Sequence, residues 1–310
     1  MNPATIRPDT ALNAPPTVTL SALSLAPLWA VLIWTGNTLV TKVAAVVIDP
    51  ASIAFYRWLL AFLVLTPFVG RAVWRQRAVV RRHWAKLAVL GSLGMAMYQG
   101  LAYEAARTTS AVNMGVIVAM MPLFSALLAS LLSSEALSKR QIVGAIISLF
   151  GLIVLTTHGE PLALTNADVH IGDALMLIAV ASNALYGVLL RRWALPLSTW
   201  QQLYLQIGFG VLVLLPFWLA GPMSAITLGN APLILYAGTA ASIGAPFFWM
   251  TGVKQWGAAR ASLFMNLLPV LVAIAAWTLL DEQLHLFHAV GAATTLLGVA
   301  MALRQRPFWQ

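Results

Sequence analysis

Two stretches of the chain are variants of one sequence. Residues 122–151 are PLFSALLASLLSSEALSKRQIVGAIISLFG, and residues 269–298 are PVLVAIAAWTLLDEQLHLFHAVGAATTLLG. A shift of 147 positions superposes Pro122 on Pro269, Glu135 on Glu282, Gly144 on Gly291 and Gly151 on Gly298. Repetition of this kind predicts that the chain consists of two copies of one structural unit.

The composition is that of a membrane protein. Hydrophobic residues make up 60% of the chain and charged residues only 9%, far below the roughly one quarter of soluble domains. A spanning helix needs about 20 mostly apolar residues. The predicted windows are 21–48, 51–70, 85–103, 108–132, 139–156, 172–190, 199–220, 231–252, 259–280 and 286–303. The predicted fold class is therefore an all-α membrane protein with ten transmembrane helices.

The repeat divides these helices into two sets of five. We predict a disordered tail at 1–20, a first repeat at 21–156, a periplasmic linker at 157–171, a second repeat at 172–304 and a tail at 305–310. Five is odd, so the second copy enters the membrane from the opposite side and the repeats are inverted. A looser match, at a shift of 146, pairs Asn37 with Asn183 and Pro50 with Pro196.

The basic residues predict the orientation. If the N-terminus is cytoplasmic, all of the 18 Lys and Arg residues except Lys42, Arg57 and Arg107 fall on the cytoplasmic side. This asymmetry follows the positive-inside rule, so both termini are expected in the cytoplasm. The net charge of +9 lies at helix ends beside anionic lipid rather than on one basic face, which argues against nucleic-acid binding.

Several segments resemble a known family. These are Trp34 to Asn37 (W-x-G-N), Phe55 to Ala61 (FYRWLLA), the run from Ala105 to Phe124 (A-x-x-T-x-S-A-x5-I-x4-P-L-F) and Glu135 to Gly144 (E-A-L-S-x-x-Q-x-x-G). Together with the duplicated P-x12-E-x8-G-x6-G pattern, they resemble the EamA-type drug/metabolite transporters over about residues 25–304. Within that superfamily, the chain is similar to YddG-type exporters of aromatic and other neutral amino acids.

The resemblance implies a function and a cellular location. It implies export of small metabolites across a bacterial inner membrane, by alternating access through a central cavity, with aromatic and other neutral amino acids as cargo. A permease for another metabolite or drug is the alternative within transport. A membrane enzyme or scramblase, and a sensor, are alternatives from other classes. The expected partners are a small-molecule substrate and membrane lipid, and the oligomeric state stays open, a monomer included.

Matched helix breaks point to a pathway at the middle of the membrane. Pro122 and Pro269 interrupt corresponding helices, and broken helices in two inverted halves are typical of a midplane binding site. Bending of the helices to fit the bundle is the structural alternative. Ser242 to Pro246 form another interrupted stretch, for which Tyr98 to Gly100 are the predicted partner. We expect Pro122 to face Pro269 across the pathway.

Lys42 and Arg57 are the two cations inside predicted helices. Each lies seven residues from the turn at Asp49 and Pro50, hence about 10 Å deep at about 1.5 Å per residue. Charged groups at such depth usually face a pathway, so at least one is expected to attract a substrate carboxylate. The alternative is that each reaches out to the headgroups or caps the carbonyl groups of a neighbouring helix. For Arg57, with its longer side chain, we favour this alternative.

Polar and aromatic side chains within apolar helices complete the candidate pocket, although many such groups only join helices to one another. Aromatic rings in this set are suited to stacking on an aromatic substrate. The candidate substrate-binding and pathway residues are Trp34, Asn37, Lys42, Tyr98, Gln99, Tyr103, Asn113, Pro122, Tyr186, Ser242, Pro246, Asn266 and Pro269.

Some chemistries lack the residues that they need. The nine acidic residues fall in tails, loops or helix ends, which disfavours a proton antiporter for cationic drugs, since such a carrier needs a central carboxylate. Glu135 and Glu282 are expected at helix N-termini, where negative charge is stabilised. Cys is absent and His285 with His288 lack a third ligand, so no metal is expected. No catalytic motif or cofactor motif occurs, and we expect no enzyme activity and no cofactor.

Overall fold

The computed structural model describes residues 25–133, 139–159, 171–256, 264–265 and 267–303, and helices form almost all of this part of the chain. The helices are α1 Ala26–Val47, α2 Pro50–Arg75, α3 Arg77–Gly91, α4 Tyr98–Ala105, α5 Ala111–Ala119, α6 Met121–Ser133, α7 Lys139–Thr156, α8 Ile171–Trp193, α9 Thr199–Ala220, α10 Ala231–Leu235, α11 Ala245–Trp256, α12 Leu268–Leu279 and α13 Leu286–Leu303. The predicted tails at 1–20 and 305–310, residues 160–170 of the predicted linker, and Asn266 lie outside the described residues.

Six helical segments are long and apolar enough to cross a membrane. They are Ala26–Val47, Pro50–Arg75, Ala111–Leu132, Ile171–Trp193, Thr199–Ala220 and Ala231–Gly252. Shorter apolar helices run over Ile142–Leu155, Leu268–Leu279 and Leu286–Met301. The described residues contain no strand, so the prediction of an all-helical membrane protein is confirmed. The count of ten spans stays a prediction.

Capping groups fix where α2 and α9 begin. The Asp49 carboxylate accepts a hydrogen bond from Ser52 N at 3.1 Å and caps α2. Ser198 and Gln201 form a reciprocal capping box at α9. The two caps are 149 positions apart, so Pro50 is the first residue of α2 whereas Pro196 precedes the cap of α9. The looser pairing of Pro50 with Pro196 is therefore wrong.

Two π-helical segments interrupt the helical rods. The first, Ser92–Met97, joins α3 to α4, and the second, Tyr236–Gly244, joins α10 to α11. A shift of 147 places the first on residues 239–244 of the second. The wider turn leaves carbonyl groups for side chains: Trp58 Nε1 donates to Met95 O at 3.0 Å, and Ser182 Oγ donates to Leu93 O at 2.8 Å. Segments of this kind often occur at functional sites.

The helices pack in pairs that recur in the two halves of the chain. Helix α1 contacts α11 and the second π-helical segment, and α8 contacts α4 and the first π-helical segment. Helix α1 also contacts α12, as α8 contacts α6. Between the halves, α2 packs on α9, α5 on α12 and α7 on α13. These contacts of the first half thus have counterparts in the second half.

Glycines bring the backbones of α7 and α13 close together. A Cβ atom at Gly151 would lie 2.5 Å from Thr295 N and 2.8 Å from Gly291 O. A Cβ atom at Gly298 would lie 2.4 Å from Ser148 N. The shift of 147 maps Ser148 onto Thr295, and Thr295 Oγ1 donates to Ser148 O at 3.4 Å. The repeated glycines therefore pack helices within one chain, as small residues commonly do in membranes.

Gly151→Leu should destabilise the protein, because backbone atoms of α13 occupy the space that the new side chain needs. Overpacking at a tight contact costs about 1–3 kcal/mol. We expect a lower temperature of thermal unfolding in detergent, followed by tryptophan fluorescence. Gly187→Leu is the matched control, since a Cβ atom at Gly187 has no neighbour within 4 Å. Equal stability of the two variants would show that the α7–α13 contact is loose.

Candidate functional site

A buried arginine lies at the centre of a polar cluster. The Arg57 side chain in α2 is 2% exposed, and it is surrounded by Asn37 of α1, Gln99 and Tyr103 of α4, and Ser242 of the second π-helical segment. We call these five residues the Arg57 cluster. The interpretation that Arg57 reaches out to the lipid headgroups is therefore wrong, and its side chain points into the protein.

Hydrogen bonds hold the guanidinium group from three sides. Nη1 donates to Gln99 Oε1 at 2.7 Å, and to Asn37 Oδ1 and Tyr103 OH, both at 3.2 Å. Nε and Nη2 donate to Ser242 Oγ at 3.2 and 2.9 Å. The Trp58 ring centroid lies 5.0 Å from Arg57 Cζ, within the range of a cation–π interaction. Every one of these partners is neutral.

No carboxylate compensates the charge within the described residues. The described ion pair joins Arg107 to Glu104 at 3.3 Å, and both side chains of that pair are largely exposed. A buried charge without a counter-charge is expensive unless a ligand or other strong interaction repays the cost of desolvation. The Arg57 cluster is thus a buried positive charge that has only neutral partners among the described residues.

The local structure explains how the cluster forms. Gln99 and Tyr103 are four residues apart in α4 and therefore lie on one face of it. Gly238 allows the second π-helical segment to approach α2, since a Cβ atom there would lie 2.9 Å from Arg57 O. Ser242 Oγ donates its proton to Ala237 O, five residues earlier, so its lone pairs accept the hydrogen bonds from Arg57. Four predicted site residues thus meet around Arg57, for which the sequence analysis had favoured contact with headgroups or backbone carbonyl groups.

A cavity of about 540 Å³ lies near the cluster. Its walls are Lys42, Thr108, Thr109, Ser110, Asn113, His158, Glu282, Gln283, His285, Phe287 and His288. We call it the Lys42 cavity. Lys42 is five residues from Asn37 on α1, about 7.5 Å along the helix. The cavity is therefore large enough for a small metabolite and lies little more than one helical turn from the Arg57 cluster.

Lys42 is bonded to the backbone at the wall of this cavity. Its Nζ atom donates to Ala106 O at 2.9 Å and to Thr109 O at 2.6 Å. These carbonyl groups belong to the turn after α4. In this conformation Lys42 therefore caps the carbonyl groups of a neighbouring helix, the alternative to contact with a substrate. A role in substrate passage stays a prediction.

The Glu282 carboxylate caps a helix in the other half of the chain. Its oxygens accept hydrogen bonds from Ala111 N at 2.8 Å and Val112 N at 3.3 Å, the first residues of α5. Negative charge at a helix N-terminus is stabilising. The expected placement at a helix N-terminus is confirmed for Glu282, although the helix is α5 rather than α13. Glu135 lies outside the described residues.

Other predicted residues lie beside the cluster rather than in it. Trp34 is half-buried, and its ring centroid is 5.7 Å from that of Trp249. Tyr98 begins α4, one residue before Gln99, and packs against the apolar core. Pro246 is half-buried at the start of α11. Whether these side chains contact a substrate stays a prediction.

The two matched prolines differ in environment. Pro122 and Pro269 each lie in the first turn of a helix, α6 and α12, so the helix breaks fall immediately before them. Pro269 is buried, whereas Pro122 is exposed. Helix α12 contacts α5, where a Cβ atom at Gly115 would lie 3.0 Å from Val272. The described contacts thus join α12 to α5 and do not bring Pro122 into the Arg57 cluster.

Gln206 in α9 was missed by the sequence analysis. Gly91 packs on Gln206 O in the same way that Gly238 packs on Arg57 O, and these glycines are 147 positions apart. Gln206 therefore occupies in the second half the position of Arg57 in the first. Its side chain is buried, and Oε1 accepts a hydrogen bond from Tyr186 OH at 2.9 Å. A glutamine within an otherwise apolar helix was the signal available in the sequence.

Comparison with known proteins identifies the family. The sequence pattern of the EamA-like transporter family matches residues 20–157 and, a second time, residues 170–304. The chain belongs to the EamA-like transporter family. It is therefore a membrane transporter for small molecules, and its homologues are named as transporters rather than as enzymes.

Relatives of this EamA-like transporter occur in distant organisms. "Uncharacterized transporter YyaM" of Bacillus subtilis (strain 168) is 28% identical over 279 residues, which cover 87% of this chain and 90% of the relative. An "Uncharacterized transporter" of Archaeoglobus fulgidus is 26% identical, with 86% and 92% covered. "WAT1-related protein At3g02690, chloroplastic" of Arabidopsis thaliana is also 26% identical, with 87% and 68% covered.

A solved structure shares the fold. This structure, described as "Crystal structure of protein", superposes on the chain with a TM-score of 0.58 at 19% sequence identity. The superposition covers 91% of this chain and 96% of the other chain. At this identity the likeness concerns the fold alone.

Lys42→Met should lower the stability of the transporter, because two carbonyl groups of the turn lose their charged donor. The expected loss is about 1–3 kcal/mol, measured as thermal unfolding in detergent. Lys139→Met is the control, since Lys139 is exposed at the start of α7. A Lys42→Met variant with normal stability and no transport would instead place Lys42 on the substrate pathway.

Proposed function

We propose that this EamA-like transporter exports small metabolites that carry a carboxylate, with aromatic and other neutral amino acids as its main cargo. The observation that carries the proposal is the buried Arg57 guanidinium, which has only neutral partners among the described residues. Substrates would pass by alternating access through the centre of the bundle.

A substrate carboxylate supplies the missing counter-charge. Guanidinium groups bind carboxylates through parallel hydrogen bonds, and such charge-assisted bonds are about twice as strong as neutral ones. Arg57 Nη1 donates to Asn37, Gln99 and Tyr103. A substrate carboxylate that binds Nη1 therefore replaces hydrogen bonds to neutral groups. The same positive charge repels a cationic drug, which disfavours that class of cargo.

Aromatic side chains favour an apolar or aromatic body on the substrate. Trp58 and Tyr103 have their ring centroids 5.0 and 6.0 Å from Arg57 Cζ. Trp34 and Trp249 form a second aromatic pair on α1 and α11. Offset stacking between aromatic rings contributes about 0.5–1.5 kcal/mol beyond burial of area.

The proposed architecture is ten transmembrane helices in two inverted repeats. The paired contacts of the glycines support it. Gly298 packs on Gly144, and Gly151 packs on Gly291. The shift of 147 maps one of these contacts onto the other, as a two-fold relation between the halves requires. The distribution of Lys and Arg supports cytoplasmic termini. We place the protein in a bacterial inner membrane on the resemblance to bacterial exporters, which also supplies the direction of transport.

Two other functions are tested in the same vesicles. A permease for another metabolite or drug would carry solutes without a carboxylate. A membrane enzyme or scramblase would change or exchange lipid, which quenching of a fluorescent lipid by dithionite detects. No observation in the described part of the chain favours either.

The test is solute flux in liposomes that contain the purified protein. We expect labelled phenylalanine, threonine and methionine to cross faster than in protein-free vesicles. Arg57→Gln should reduce this flux at least about tenfold at low substrate concentration, the scale expected when a buried charge pair loses one partner. Arg107→Gln is the matched control, because Arg107 is exposed.

Two outcomes would contradict the proposal. Flux no faster than in protein-free vesicles for all three amino acids would overturn the cargo. Equal flux through the wild type and Arg57→Gln, with equal amounts of folded protein, would overturn the role of Arg57.

A further inference from the structure

Asp173 and Asn113 form a buried polar pair with unsatisfied oxygen atoms. Asp173 lies in the first turn of α8 and is 2% exposed, and Asn113 lies in the first turn of α5 and is 4% exposed. Asp173 Oδ2 and Asn113 Oδ1 have no hydrogen-bond partner in the part of the chain that the structure describes. Buried polar atoms are satisfied in the great majority of cases, so two orphans in one pair require an explanation.

The other two atoms of the pair are bonded. Asn113 Nδ2 donates to Asp173 Oδ1 at 3.3 Å, and Thr109 Oγ1 donates to the same oxygen. Gly172 fixes α8 against the turn before α5, since Gly172 N donates to Thr108 Oγ1 at 3.0 Å. The Asn113 amide and the Asp173 carboxyl group are therefore held side by side by one hydrogen bond between them. One oxygen of each group accepts no hydrogen bond from the described residues.

One proton on Asp173 Oδ2 satisfies both orphans. A protonated carboxyl group gains an O–H donor, and an acid beside an amide closes a ring of two hydrogen bonds: Nδ2–H to Oδ1, and Oδ2–H to the amide oxygen. We propose that Asp173 and Asn113 form a proton-binding site that opens to the Lys42 cavity and couples transport to a proton gradient. This inference rests on the proposed transport function, to which it adds the coupling ion.

The site lies one side chain away from water. Thr109 and Asn113, the two partners of Asp173, both line the Lys42 cavity. A proton enters from the water in this cavity and neutralises the carboxylate. It leaves to the water on the opposite side after the conformational change, and the negative charge on Asp173 returns. One positive charge thus crosses the membrane in each cycle.

A metal ion does not suit this position. The nearby carbonyl oxygens of Ala106 and Thr109 are already bound by the Lys42 ammonium group, whose charge repels a second cation. The described residues contain no group of three His, Cys, Asp or Glu side chains that could hold a metal ion. Two free oxygens satisfy a proton but are far fewer than the about six to eight oxygen ligands of a calcium ion.

Titratable groups also lie on the elements around α8. The described residues of α5, α6 and the first π-helical segment contribute no titratable side chain to it. Helix α4 and the turn after it carry Tyr98, Tyr103, Glu104 and Arg107, and α3 carries Arg77, Arg81, Arg82, His83 and Lys86. Helix α8 itself carries Tyr186, Arg191 and Arg192. The Lys42 cavity is lined by Lys42, His158, Glu282, His285 and His288. Within the described residues, the side chain of Asp173 bonds to Thr109 and Asn113.

The test separates proton movement from solute exchange in the same liposomes. A trapped pH dye reports protons, and counterflow of labelled phenylalanine, which needs no net driving force, reports the carrier. For the wild type we expect a pH gradient to drive phenylalanine accumulation and a phenylalanine gradient to move protons. Asp173→Asn, which mimics the neutral acid, should lose both coupled fluxes yet keep measurable counterflow. Asn113→Leu should weaken the coupling.

The control is Glu104→Gln, which removes an exposed carboxylate of α4 and should leave both measurements unchanged. Wild-type counterflow without proton movement, or accumulation driven by a sodium gradient, would overturn the proton site and leave the proposed function intact. An Asp173→Asn variant that loses counterflow and proton movement together would assign Asp173 a purely structural role. Absence of wild-type counterflow would overturn the proposed function itself.

Discussion

The structure depends on how the buried charge of Arg57 is accommodated. Taking a guanidinium group out of water costs several kcal/mol even after relaxation of the protein. Five hydrogen bonds to Asn37, Gln99, Tyr103 and Ser242 recover part of that cost. These partners come from α1, α4 and the second π-helical segment, so the bond network also fixes the relative positions of three elements around α2. What the partners lack is a negative charge, and this deficit is what a substrate can supply.

Irregular backbone is tolerated in such a bundle only where other groups satisfy it. Both π-helical segments meet this condition. Met95 O and Leu93 O accept hydrogen bonds from Trp58 and Ser182, and Ala237 O accepts one from Ser242. The segments recur at the same place in the two halves. A glycine in or next to each segment packs on the facing helix, Gly91 at the end of α3 on α9 and Gly238 on α2. The first half carries Arg57 at that contact and the second half carries Gln206, so the two contacts share a geometry but differ in charge.

Much of this arrangement was predictable from the sequence, and the failures have physical causes. Asn37, Gln99 and Tyr103 were predicted because polar groups in apolar helices need partners, and Ser242 was predicted because it begins an interrupted stretch. The direction of Arg57 was not, because at about 10 Å depth a long side chain is able to reach either the headgroups or the interior, and only its neighbours decide. Pro122 and Pro269 match in sequence, yet only Pro269 is buried, since a helix break does not determine which face turns inwards. The start of α9 agrees with the predicted window 199–220, but the pairing of Pro196 with Pro50 fails because Ser198, not Pro196, stands at the cap.

The most direct test of the account is whether the substrate carboxylate is the group that the wild-type protein recognises. Phenylalaninamide keeps the side chain and the amino group of phenylalanine but has a neutral carboxamide in place of the carboxylate, so competition of the two compounds against counterflow of labelled phenylalanine tests recognition of the carboxylate. We expect the amide to compete at least about tenfold more weakly, the loss expected for a hydrogen bond to a charged group. Equal competition by the two compounds would contradict it, because the uncompensated charge of Arg57 would then have no part in binding.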